Sequence, residues 1–344
     1  MAKLTLEDIG RLADVSRATV SRVINGYPHI RPEVRERVER VIQETGFQPN
    51  AVARSLASSQ SNIIGLFIPS VVQFIFADAY LSALIPGISQ ACNTNEYTLA
   101  LFLFNSEEEE QKHFRRILGS STVDGLIITA DRRETSLTNE LLANDIPFVL
   151  IGRPAALSDK VSFVDAENRD GAYRGVCHLI EQGYRRIGLI STSLNTAAED
   201  RTAGYLRAMQ EYGLPVDDLL IGEGDFTEPS GYLAMQQIIP HQPEAIFATS
   251  DMMAVGALRA IHEARLRVPD DIAILSFDGL PLSENSTPPL STIRQSVHEI
   301  GRLAVETLID ILQTGTQPPR HIILPTELIV RTSSSATNKT RIVR

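Results

Sequence analysis

From Asn62 onward the chain alternates short apolar runs with amphipathic segments, and this rhythm holds for more than 260 residues. Strand-like runs fall at 63–69, 98–104, 125–129 and 148–152, separated by helical patterns over 82–94, 107–118 and 137–143. A second series has strand runs at 162–165, 187–191, 219–225, 245–249, 272–277 and 322–330. Its helical patterns cover 170–182, 197–212, 230–239, 252–265 and 297–313. Continuous apolar strands between helices specify parallel sheets covered on both faces. There are too many strands for one sheet of ordinary size, and the polar break at 154–160 divides the series into two lobes. Ligands on such sheets sit outside the carboxyl ends of the strands, here in a cleft between lobes.

The first 60 residues have another pattern. Leu4 to Ala13 is apolar at helical spacing, and Thr5 with Asp8 has the spacing of a capping box. After an Asp14-Val15 turn, Ser16 is placed to cap a second helix on which Val20, Val23 and Ile24 bury one face. Its other face carries Arg17, Ala18, Ser21, Arg22 and Asn25. Two short helices with a polar, cationic outer one form a helix-turn-helix, whose second helix enters the DNA major groove. The competing reading is a helical hairpin with a solvated face. Pro32 can open a third helix, its stripe is Val34, Val38, Val41 and Ile42, and Gly46 suits its C-cap.

Charge supports this division. The whole chain is −10, but residues 1–60 hold nine Lys/Arg against seven Asp/Glu, so a mildly basic head precedes an acidic body. DNA affinity depends on local phosphate neutralisation, which tolerates such a body. No apolar run reaches 18 residues and the first residues carry no apolar signal core, so the expected location is the cytoplasm with no membrane partner. Cys92 and Cys177 are expected as buried thiols. Phosphate-loop, nucleophile-elbow and His-x-x-x-His patterns are missing, so neither an enzyme, a cofactor nor a metal is expected.

The combination resembles the LacI/GalR family of transcriptional regulators. The resemblance rests on Thr19-Val20-Ser21-Arg22-Val23 with Asn25, on 46–50 (Gly-Phe-Gln-Pro-Asn), and on Ala53 and Leu56. In the body it rests on 123–127, 178–184, Arg201 to Tyr205, Thr249 to Ala257, 268–271 and Phe277-Asp278. It implies a three-helix head with a hinge helix at about 50–58, then a periplasmic-binding-protein-like body of residues 61–340. The first lobe would take about 61–160 and 291–320, and the second about 161–290 and 321–340.

The resemblance also implies roles. Arg17 and Ala18 would choose bases, arginine matching guanine O6 and N7 and alanine touching a thymine methyl. Arg22 is a second candidate for guanine, with a salt bridge inside the head as its alternative. Ser16, Ser21 and Asn25 would hold phosphates. The hinge from Asn50 would order on DNA, with Leu56 as a minor-groove wedge and Ala53 allowing close approach. In the cleft, Arg201 would donate to ligand hydroxyls or an anion and Asp278 would accept, unless the two pair with each other. Tyr80 and Phe226 offer rings for a sugar face, and Arg153 and Asp165 are further ligand candidates. Asp251 is expected to cap its helix. Ser250 departs from the polar amide common in relatives.

The resulting expectation is a repressor acting as a homodimer on a near-palindromic operator, controlled by a small molecule, most simply a carbohydrate. The polar, basic residues 333–344 carry no apolar heptad for a tetramer. Alternatives are a purine-responsive regulator, a cytoplasmic sugar-binding protein without DNA function, and an α/β enzyme on a sugar or nucleotide. Missing catalytic patterns argue against the last.

Overall fold

The computed structural model describes residues 4–24, 27–47, 60–71, 75–118, 122–129, 135–315 and 318–335. Asn25, Asn50, Ala53 and Leu56 lie outside them, and so do the expected hinge helix and wedge. The chain divides into two compact units, 1–62 and 63–344.

In the first unit, α1 (Leu6–Leu12), α2 (Arg17–Ile24) and α3 (Pro32–Thr45) enclose Ile9, Ala13, Val20, Val23, Val38 and Phe47. The local signals act as anticipated. Thr5 and Asp8 form the capping box, and the Thr5 hydroxyl and N–H hold the Asp8 carboxyl below its usual range. Gly46 ends α3 at φ +61°, a conformation that costs glycine little. Gly10 is needed for another reason: a Cβ there would stand 2.8 Å from the Val15 carbonyl oxygen, blocking the α1–α2 turn.

The second unit has two six-stranded sheets. The first combines β1 (Ile63–Val71), β2 (Thr98–Phe104), β3 (Gly125–Thr129), β4 (Phe148–Ile151), β5 (Phe163–Ala166) and β11 (His321–Leu324). Their order is β11-β5-β4-β3-β1-β2, all parallel. The second sheet combines β6 (Ile187–Ser191), β7 (Ile221–Glu223), β8 (Ala245–Ala248), β9 (Ala273–Asp278), β10 (Ser291–Arg294) and β12 (Glu327–Ile329). Its order is β12-β10-β9-β8-β6-β7, parallel except for the β10–β12 edge pair.

The helices complete the layers. The first lobe carries α4 (Ala79–Thr94), α5 (Glu107–Leu118) and α6 (Thr135–Ala143), with α12 (Val297–Thr314) returning to pack on α4. Gly87 permits that return, since a Cβ on it would lie 2.1 Å from the His298 carbonyl oxygen. The second lobe carries α7 (Asn168–Glu181), α8 (Thr196–Glu211), α9 (Glu228–Ile238), α10 (Asp251–Glu263) and the short α11 (Pro281–Asn285). Cys92 and Cys177 are buried, free thiols. No helix among the described residues is long and apolar enough to cross a membrane.

β5 and β11 sit in the other sheet from the one expected, and residues 291–294, expected in the first lobe and not marked as a strand, form β10 of the second. The break at 154–160 is a loop inside the first lobe, because β5 pairs back onto β4 with Leu150 opposite Phe163. The run 322–330 is two strands, one in each sheet; Pro325 cannot donate to a ladder and ends the first of them. β10 lies in the second sheet, so the chain crosses between lobes at Glu167, at Gln295-Ser296 and at Pro325-Thr326. The first lobe therefore spans 63–166 and 297–324, against the expected 61–160 and 291–320.

Candidate functional sites: the head helix and the inter-lobe cleft

The head presents α2. Ser16 Oγ accepts from the Thr19 N–H at 3.1 Å, so a side chain placed by the sequence starts the helix. Val20 and Val23 are buried, while Ser16, Arg17, Ala18 and Arg22 are exposed and Ser21 is half-buried. No carboxylate among the described residues pairs with Arg17 or Arg22, so the salt-bridge alternative for Arg22 finds no partner there. An exposed helix face with Arg17 at its start and Arg22 in its last turn suits an acceptor-rich major groove.

The cleft gathers polar side chains at the carboxyl ends of both sheets. Arg201, in the second turn of α8, is 4% exposed. Its Nε donates to Asn168 Oδ1 at 2.8 Å, and its Nη1 donates to the Thr249 carbonyl at 2.7 Å and to Asp278 Oδ1 at 3.0 Å. Its guanidinium carbon lies 3.8 Å from the centroid of the Phe277 ring. Asp278 closes β9 at φ +120°, a strained conformation for a non-glycine residue, and also accepts from Gln295 Nε2 at 2.8 Å. Arg201 and Asp278 thus pair with each other inside the network. Burial pushes the Asp278 carboxyl above its usual range although Arg201 draws it down.

Asp251 does not cap α10. Ser250 does, accepting from the Met253 N–H at 3.2 Å. Asp251 is fully buried and accepts from the Ser276 hydroxyl, the Thr292 hydroxyl at 2.8 Å and the Leu280 N–H at 2.7 Å. Burial and the neighbouring Asp278 charge push it up to about 7. The correction is one residue in size: the cap needs an extended backbone, which Ser250 has at φ −151°, ψ 156°.

The first lobe contributes Asp165 and Tyr80. Asp165, the penultimate residue of β5, accepts from the Arg153 N–H at 3.1 Å, the Ala166 N–H at 2.8 Å and Asn168 Nδ2 at 2.9 Å. Asp78 caps α4 by accepting from the Tyr80 N–H at 2.8 Å, and burial pushes its carboxyl up to about 6. The half-buried Tyr80 phenol is raised by burial, then by the charges of Asp165 and Asp278, and lowered by Arg201, so it senses both lobes. Phe226 holds φ +69° in a loop tied by Asp225, Thr227 and Ser230, and packs half-buried against the second-lobe core. Arg153 instead donates through Nε and Nη2 to Asp200 Oδ2 at 3.2 and 2.9 Å. Arg153, Asp165, Asn168, Asp200 and Ile323 line a cavity of about 480 Å³.

The sequence reading missed Asp78, Asn168, Gln295, Thr249 and Asp200. Asn168 and Gln295 stand at inter-lobe crossings, and only the strand assignment corrected above would have marked them. Among the described residues no cluster of three His, Cys, Asp or Glu could hold a metal ion.

Residues 5–50 match the model for bacterial regulatory proteins of the lacI family, and 176–334 match the periplasmic binding protein-like domain. The chain is 33% identical to the HTH-type transcriptional regulator CelR of Thermobifida fusca over 96% of its length and 98% of the relative's. It belongs to the LacI family. The Escherichia coli repressor PurR is 35% identical, with 96% of each chain covered. A solved Lac repressor dimer, bound to operator and the anti-inducer ONPF, matches with a TM-score of 0.85 and 28% identity, covering 97% of this chain and 100% of that one. A CelR–cellobiose complex matches with a TM-score of 0.76 and 32% identity, covering 96% and 99%. The chain is therefore a LacI-family DNA-binding transcriptional regulator, with a helix-turn-helix head and a periplasmic-binding-protein-like body.

Proposed function

We propose that this protein is a cytoplasmic repressor, acting as a homodimer on a near-palindromic operator, whose DNA affinity is set by a carbohydrate bound between the lobes. The observation that carries the effector class is the charge of the cleft. Among the described residues, Asp78, Asp165 and Asp278 face one buried cation, Arg201, whose named donors are already engaged by Asn168, Thr249 and Asp278. Carboxylates that outnumber cations accept from hydroxyls and repel phosphate or carboxylate. Tyr80 and Phe226 supply rings for the apolar face of a pyranose. The same rings could stack a purine, so purine bases belong in the test. CelR's solved complex with cellobiose supports the sugar reading as a property of a relative.

Arg17, Ala18 and Arg22 are the proposed base readers, with Ser16 and Ser21 on phosphates. Selection of operator from random DNA, followed by gel shifts against neutral saccharides, sugar phosphates and purine bases, tests the whole. A neutral saccharide should change operator affinity. A response to purines alone would replace the sugar reading, and no sequence-selective binding would end the repressor reading. Within that operator, Arg17→Ala should lose preference at one base pair per half-site, worth about 1–3 kcal/mol. Equal loss on every DNA sequence would make Arg17 a phosphate contact.

A further inference from the structure

Arg153 belongs to the first lobe, in the loop after β4, yet its side chain is held by the second. Both Nε and Nη2 reach Asp200 on α8, at 3.2 and 2.9 Å, and the Thr196 hydroxyl at the start of the same helix donates to the Arg153 carbonyl. Its N–H meanwhile donates to Asp165 of its own lobe at 3.1 Å. The pair is only partly exposed, 36% for the Arg153 side chain and 21% for Asp200, so water screens it incompletely. The other polar contact described between these strand ends runs Asp165–Asn168–Arg201 and passes through Asn168, one residue beyond the first crossing. A crossing residue moves little when the lobes rotate about it. The Arg153–Asp200 and Thr196 contacts join segments away from the crossing, and they must break if the lobes part.

We propose that Arg153 and Asp200 form an inter-lobe latch, so that Arg153 is a positioning residue for effector binding and not a ligand contact. The latch holds the lobes together, and a ligand gripped by both lobes binds the closed arrangement. Apparent affinity then scales with the closed fraction. This rests on the reading of the cleft as the effector site. Asp200 precedes Arg201 in α8, so the latch also fixes the helix turn that aims the buried guanidinium into the cleft.

The test uses the full-length dimer carrying Asp200→Asn, Asp200→Ala, and the exchange Arg153→Asp with Asp200→Arg. Small-angle scattering needs no ligand: Asp200→Ala should enlarge the radius of gyration, and the exchange should return it toward the native value. Calorimetry with the neutral saccharide that the native protein binds should show dissociation constants raised about three- to ten-fold in the single variants. The exchange should restore most of that loss, which a contact between Arg153 and the sugar would forbid. Raising salt should weaken saccharide binding by the native protein more than by Asp200→Ala. An unchanged radius in both single variants, or an exchange that leaves affinity as low as Asp200→Ala, overturns the latch. If no saccharide binds the native protein, the sugar reading fails, and the scattering result alone decides the latch.

Discussion

Arg201→Met should cost the body about 3–5 kcal/mol of stability at neutral pH, the usual consequence of leaving one member of a buried ion pair behind. Three acceptors lose an arginine donor at once: Asp278 Oδ1, Asn168 Oδ1 and the Thr249 carbonyl. Methionine preserves contact with the Phe277 ring but supplies no charge over it. Asp278 then stands buried with Gln295 and the more distant Asp251 N–H, 3.4 Å away, as its described donors. Its carboxyl, already raised by burial, should rise further, so the deficit should shrink as pH falls and the group takes up a proton. Adding Asp278→Asn to Arg201→Met should recover part of the stability, because an amide carries no charge and asparagine tolerates positive φ better than most residues. Chemical denaturation of the two variants at pH 5 and pH 8 checks this. A deficit below 1 kcal/mol that ignores pH would mean the pair is solvated and contributes little. Effector binding should stay lost in both variants, which separates the fold's need for a neutral network from the ligand's need for these donors and acceptors.

How much of this was visible in the chain depends on the distance over which each signal acts. Thr5 with Asp8, Ser16 with Thr19 and the left-handed Gly46 are interactions within three residues, and the sequence carries them whole. The periodicity that marked β1 to β9 and the longer helices is equally local, whereas β10 and the short α11 were not marked. Membership of a sheet is not. β5 follows a polar loop that looks like a boundary, yet only its pairing with β4, twelve or more residues back, decides which lobe owns it. β11 and β12 read as one apolar run because Pro325 interrupts them without changing composition. The cleft shows the same division. Arg201 and Asp278 were marked by their positions at a helix start and a strand end, but their direct bond spans 77 residues, and it is flanked by Asn168 on Arg201 and Gln295 on Asp278, unremarkable polar residues in the sequence. Arg153 was marked as a ligand candidate because it is a cation past a strand end, but its partner Asp200 is 47 residues away on the other lobe.

Asp251→Asn should gain stability relative to the native protein as pH rises from 5 to 8. Asp251 lies near 7 in the folded chain, against 3.8 for an ordinary aspartate. Between those values the folded protein binds a proton that the unfolded chain lacks. The native protein's stability from this group is therefore full below 3.8 and is lost as pH climbs through 7. Asp78, held up to about 6 by burial, acts in the same direction, whereas His178, lowered by burial, acts in the opposite one and costs stability as pH falls below 6.5. Comparing native and Asp251→Asn proteins cancels both. At about 1.36 kcal/mol per unit, the two units between pH 5 and pH 7 give the variant a relative gain of about 3 kcal/mol over the measured range. The substitution fits the site. An asparagine oxygen can accept from the Leu280 N–H while its amide donates to the Ser276 and Thr292 hydroxyls, which rotate to accept. Denaturation midpoints of the two proteins at pH 5, 6, 7 and 8 should converge or cross toward the alkaline end. A constant separation across that range would mean that Asp251 is ionised in the folded protein throughout, its three donors and the Arg201 field outweighing its burial.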